Sequence, residues 1–147
     1  MRRRDFITLF ASAVAVSARA QQPERVRRVG ALMPFDTRDA TGQEFIAALR
    51  QGLNEAGWTE GRNLQIDARW IGGDIDRRSN HATELVRLSP DVIFACFSAQ
   101  LTALSRETQA IPIVFVGASD PVGGGYVASY ARPGGNITGF TFFEATM

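Results

Sequence analysis

The chain has no lysine, one histidine and one cysteine among its 147 residues. A single thiol, Cys96, rules out an intramolecular disulfide. Its run Val92-Ile93-Phe94-Ala95-Cys96-Phe97 suits a small buried hydrophobe rather than a nucleophile. The lone His81 stands on a different, polar segment, so no Cys–His or Ser–His pairing has its context. Asp74 and Asp76 are near His81 but not at a metal-ligand spacing, and a solvated helix histidine is the expectation. The chain lacks G-x-G-x-x-G, G-x-x-x-x-G-K-S/T and G-x-S-x-G, which removes support for a dinucleotide site, a P-loop and a hydrolase elbow. Gly123-Gly124-Gly125 and Gly134-Gly135 read as turns, and no cofactor or metal is expected. No apolar run approaches the ~20 residues that span a bilayer. The nearest, Phe6 to Val16, has eleven, so the mature chain is not expected to insert stably in a membrane. Beyond residue 20 there are twelve arginines against fourteen acidic residues. Past the short Arg25/Arg27/Arg28 cluster there is no basic stripe, so no nucleic-acid partner is expected.

What is present begins with an address. Arg2-Arg3-Arg4, the apolar stretch and Ala18-Arg19-Ala20 follow the charged, apolar and small-residue order of an export signal. Arg3-Arg4-x-Phe-Ile resembles a twin-arginine leader, although Arg2 replaces the usual Ser or Thr and Thr8 the frequent Lys. A general secretory route is the alternative. Either route predicts a signal peptide over residues 1–20, cleavage after Ala20, a mature chain starting near Gln21, and a periplasmic location. Residues 21–27 read as a flexible N-terminus and residues 28–147 as one domain.

That domain alternates strands with helices. Arg28 to Phe35 is a short apolar run suited to a strand buried on both faces. Thr41 to Glu55 reads as a helix, with Thr41-x-x-Glu44 as a capping box and Phe45, Ile46, Leu49 and Leu53 on one face. Gly57 suits a left-handed residue after the helix. Leu64 to Trp70 alternates, as a strand near a sheet edge does. Arg77 to Leu88 is a second helix, stopped at Ser89-Pro90. Asp91 to Phe97 is a third strand, followed by a helix to about Thr108 that Ser98 can cap. Ile111 to Val116 is a fourth strand and Asn136 to Phe142 a fifth. Between them Pro121 to Tyr130 is Gly-rich, with room for a short helix. The pattern predicts an α/β fold, a Rossmann-like or flavodoxin-like parallel sheet covered on both sides.

In such a sheet ligands bind beyond the carboxyl ends of the strands. Three loops then carry the candidate site: Phe35 to Asp39, Phe97 to Gln100, and Gly117 to Val122. Ser98, Ala99 and Gln100 would offer a hydroxyl and free backbone amides to an anion. Alternatively Ser98 only caps its own helix. Asp120, after Ser119, either pairs with a ligand ammonium or is a turn aspartate before Pro121. Phe35, Asp36 and Phe97 complete the candidates, the two aromatic rings being either ligand contacts or core.

Several blocks together resemble a known family. They are the leader, the Ala20-Gln21-Gln22-Pro23 junction, and Arg50-Gln51-Gly52-Leu53-x-Glu55-Ala56-Gly57-Trp58-x-Glu60-Gly61-x-Asn63. Ile111-Pro112-Ile113-Val114-Phe115, Asp120-Pro121-Val122 and Arg132-Pro133-Gly134-Gly135-Asn136-Ile137-Thr138-Gly139 complete them. In order and spacing the chain is similar to ABC-transporter substrate-binding proteins of the group that includes tryptophan and other aromatic-amino-acid binders. The resemblance implies the type I periplasmic-binding-protein fold, in which two lobes close on a small solute by a hinge. It also implies delivery to an ABC permease and no catalysis. The sequence reaches Met147 where such proteins cross into a second lobe, so an N-terminal lobe, truncated before the second, is expected. Ser98-Ala99-Gln100 stands where the family tends to have Thr-Pro-Ala. Two other readings stay open: a single flavodoxin-like enzyme domain holding a phosphate-bearing cofactor, and a non-functional remnant.

Overall fold

The computed structural model describes residues 25–142, so the leader and its cleavage site at Ala18, Ala20 and Gln21 lie outside the described residues. Five strands and three helices alternate in the order β1 (Arg27–Met33), α1 (Ala40–Glu55), β2 (Leu64–Trp70), α2 (Ile75–Arg87), β3 (Val92–Cys96), α3 (Phe97–Glu107), β4 (Ile113–Val116) and β5 (Ile137–Phe140). The strands form one sheet in the order β2-β1-β3-β4-β5. Every pairing is parallel, with Ala31 opposite both Ala68 and Phe94, and Ala95 opposite Phe115. This is the parallel α/β architecture that the sequence predicts, with β2 at an edge.

Successive strand residues point to opposite faces, and the core divides accordingly. Leu32, Ile93, Ala95, Ile113 and Phe115 meet Ala82 and Leu85 of α2 and Leu101 and Leu104 of α3. Their neighbours Ala31, Met33 and Cys96 turn the other way and meet Ile46, Phe45 and Leu49 of α1. The strands in the middle of the sheet are therefore apolar at consecutive positions. Each fully buried Leu or Ile contributes on the order of 1.5–3 kcal/mol.

Several boundaries differ from the sequence reading, for local reasons. β1 ends at Met33, not Phe35, because Phe35 leaves the sheet to pack on Phe45. The helix α1 begins at Ala40 without the Thr41/Glu44 capping box. Asp39 is the cap, its carboxylate accepting from the Gly42 amide at 3.0 Å. Similarly Asp74 caps α2 by accepting from Asp76 N at 3.1 Å, which starts that helix at Ile75 rather than Arg77. Residues 121–130 form successive turns instead of a short helix. The fifth strand is only Ile137–Phe140.

Candidate functional site

The carboxyl ends of β1, β3 and β4 bring the three expected loops to one end of the sheet. At the middle loop the chain passes from β3 into α3 with almost no connection. Cys96 is the helix N-cap and makes no side-chain capping bond. The turn is accomplished at Phe97, whose φ is +71°, a region in which a bulky side chain is strained. Such strain persists only where surrounding structure holds it, and it concentrates at functional sites. Three other rings hold Phe97. Its centroid is 6.0 Å from Phe35, 5.7 Å from Phe45 and 6.1 Å from Phe142. Phe35 and Phe45 are 5.6 Å apart, which closes a triangle of rings.

Ser98 does not cap α3. Its Oγ accepts from the Ser119 backbone amide at 2.8 Å and so ties the β3–α3 corner to the loop after β4. The early amides of α3 have no side-chain cap; at a helix start such donors carry the positive end of the macrodipole. Thr102, one turn on, donates to the Ser98 carbonyl at 2.9 Å and pairs with the Tyr126 hydroxyl. The 121–128 segment is thereby fastened to the same helix. Gln100 is buried at 2 % exposure, and Ala99 is half-buried.

The loop after β4 depends on Gly117. Its φ is +70°, and a Cβ there would lie 2.4 Å from the Phe142 ring and 2.8 Å from Phe97. Beyond it Asp120 is also left-handed, at φ +42°. Its Oδ1 accepts from Gly123 N at 2.8 Å. Asp120 is thus a turn aspartate, exposed together with Ser119. In the first loop Asp36 is exposed and its Oδ1 accepts from Arg38 N at 3.0 Å, while Phe35 is half-buried beneath Phe97. All eight candidates therefore share the strand-end region. The sequence reading had placed Phe45 only on a core face and had missed Phe142, Thr102 and Tyr126. The available signal for Phe45 is its place in the first half of α1, the helix that follows the loop after β1.

Electrostatically this end contrasts with the rest of the lobe. Cys96 lies beneath the corner, and burial pushes its thiol up to about 12, so it stays protonated and inert. His81 sits 3.3 Å from Glu84, which Arg69 also engages at 2.9 Å. Hydrogen bonds from Arg69 and then His81 hold that carboxyl below its ordinary range. Among the described residues no three His, Cys, Asp or Glu side chains come together as metal ligands. A surface hollow of about 360 Å³ lies at the opposite end, beside Trp58 and Leu64. There Arg50 and Glu60 already satisfy each other at 2.9 Å, so it offers no unpaired charge from that pair. No helix among the described residues is long and apolar enough to cross a membrane.

Comparison with known proteins adds three findings. Residues 33–146 match the family described as ABC transporter substrate binding protein. A tyrosine-binding protein of Clostridioides difficile (strain R20291) is 30% identical over 111 residues, which cover 76% of this chain and 31% of that one. Among solved structures, a ligand-free, open substrate-binding protein with adhesive properties from Clostridium difficile superposes with a TM-score of 0.74 at 25% identity, over 82% of this chain and 40% of that chain. A conserved domain protein of Vibrio cholerae gives 0.70 at 29%, with the same two coverages. An ABC domain in complex with L-Trp from Streptococcus pneumonia gives 0.71 at 22%, over 79% and 38%, and bears on the fold alone. The chain thus spans about a third of the length of the curated relative that it matches.

Proposed function

This chain belongs to the family of ABC transporter substrate-binding proteins, and from that premise we propose that it forms one wall of a solute site that serves an ABC importer in the periplasm. The solute is a small molecule such as an amino acid, since one relative is named for binding tyrosine. The α3 start, at Ser98, Ala99 and Gln100, receives the carboxylate through backbone amides and the Ser98 hydroxyl proton. Asp120, with Ser119, receives the ammonium on the carboxylate oxygen that Gly123 does not use. Phe35 and Phe97 contact the side chain, with Asp36 at the rim. The observation that carries this reading is the Ser98–Ser119 hydrogen bond, which makes two strand-end loops one unit next to a ring cluster. No catalytic step is assigned.

A cleft that buries most of a small ligand needs two walls, and these residues supply one. The purified chain should therefore bind tyrosine or tryptophan with a Kd no better than ~1 mM, about −4 kcal/mol. An NMR titration checks this: amides of residues 97–100 and 117–120 should move together. Movement confined to the Trp58 hollow would overturn the site, and micromolar affinity would require a second wall from another copy. Export is tested separately. Protein from a periplasmic extract should begin near Gln21, and Arg3→Lys with Arg4→Lys should block its passage if the twin-arginine route operates. Undiminished export of that variant would point to the general secretory route.

A further inference from the structure

Two polar side chains in the first turns of α2 and α3 make no hydrogen bond among the described residues. Arg78 is in the first turn of α2, four residues before Ala82 and seven before Leu85, so it shares their inward face. Its Nε is buried without a hydrogen-bond partner. Of the acids on and just before α2, Asp74 pairs with Arg77 at 3.1 Å and Glu84 with Arg69 at 2.9 Å, and no ion pair among the described residues joins Asp76 to Arg78. Gln100 is in the first turn of α3 and 2 % exposed, and no hydrogen bond among the described residues engages its amide. The helices α2 and α3 pack side by side on one face of the sheet and both begin at its carboxyl edge. Side chains on a helix lean toward its N-terminus, so both polar groups are carried toward the mouth of the cleft. A buried donor without an acceptor is costly to keep, and an anionic oxygen is the acceptor that a guanidinium binds most strongly.

We propose that Arg78 and Gln100 form an anion subsite in the seam between α2 and α3, which favours solutes that carry a second carboxylate. This rests on the reading of the strand ends as the solute site. It predicts selection for dicarboxylates over monocarboxylates of similar length, with Arg78 supplying the discrimination.

Glutarate and butyrate, at matched ionic strength, are the probes. In the ¹⁵N-labelled chain the Arg78 Nε–H signal should shift saturably with glutarate, which should bind at least about threefold more tightly than butyrate. Arg78→Leu should bring the two affinities together. Equal affinities in the unaltered chain, or a preference that survives Arg78→Leu, would overturn the subsite. Should the leucine variant fail to fold, Arg78→Lys retains charge but loses the Nε donor, and an undiminished preference there is equally fatal. Tyrosine in parallel separates the two claims. If it moves the Ser98–Gln100 amides while the Arg78 signal ignores glutarate, only the subsite falls. If no solute moves those amides, the solute reading falls and takes the subsite with it.

Discussion

The two ends of the sheet are built on opposite plans. At the amino end charges are matched within the lobe. Asp91 accepts from Arg28 N at 2.9 Å and Arg27 Nη1 at 2.9 Å, and Arg25 approaches at 3.4 Å. Buried Asn63 closes the α1–β2 turn by accepting from Thr59 N and donating to the Gly57 carbonyl. At the carboxyl end the fold depends on rings, a left-handed phenylalanine and a glycine, and it leaves the first amides of α3 uncapped. One end ties its charged side chains into ion pairs; the other uses its side chains to bind loop amides and leaves the start of α3 without a side-chain cap. That asymmetry is what supports the proposal of the solute site at the carboxyl end.

The largest effect should come from Gly117→Ala. The substitution adds a Cβ at positive φ, about 1–2 kcal/mol, and forces apart the Phe97 and Phe142 rings, which adds roughly 1–3 kcal/mol of overpacking. Urea unfolding should show a loss of about 3 kcal/mol. A loss near 1 kcal/mol would mean that Phe142 moves freely and that the ring cluster is not tight.

Asp91→Asn attacks the other end. Its pairs are partly exposed, with 26% of the carboxylate side chain accessible, so about 1 kcal/mol is expected at neutral pH. The sign of the pH dependence follows from a folded-state value lowered first by the Arg28 amide and then by Arg27. The stabilisation is complete above the ordinary aspartate value of 3.8 and disappears as pH falls through the lower folded value. Urea midpoints of the two proteins should differ at pH 7 and converge under acid. A gap that persists under acid would show that hydrogen-bond geometry, not charge, separates them.

Gly57→Ala sharpens the comparison, because Gly57 is also left-handed, at φ +90°, but nothing lies within 4 Å of its would-be Cβ. Only the conformational cost remains, roughly 1 kcal/mol. Calorimetry should therefore rank it well below Gly117→Ala, and equal losses would remove the steric argument. Smallest of all is Glu60→Gln, which frees Arg50 from an exposed pair and should change stability by no more than ~0.5 kcal/mol.

Much of the fold was legible because its signals are local. Apolar runs or alternation marked all five strands, and the spacing of Phe45, Leu49 and Leu53 marked α1. Boundaries were less legible, since an aspartate upstream of each expected start supplies the cap: Asp39 caps α1 in place of Thr41, and Asp74 starts α2 before Arg77. The site was legible as loops but not as contacts. From sequence alone Ser98 is either a cap or an anion ligand; in the structure it holds Ser119. Nothing in the spacing of residues 98 and 119 announces that bond, because it depends on β3 and β4 lying side by side. Phe142 was invisible for the same reason. It reaches Phe97 only after β5 has paired with β4.

The sequence by itself determined the alternation of strand and helix, the parallel class and the strand-end loops, because hydrophobic periodicity is written residue by residue. It also carried the family likeness, since whole blocks survive in order. Only the tertiary structure decided the strand order, the division of the core into two faces, and the union of the β3–α3 and β4 loops into one surface. It alone left Arg78 Nε buried without an acceptor. Those outcomes depend on which elements lie beside one another, and a donor is known to be unsatisfied only when everything within its reach has been placed.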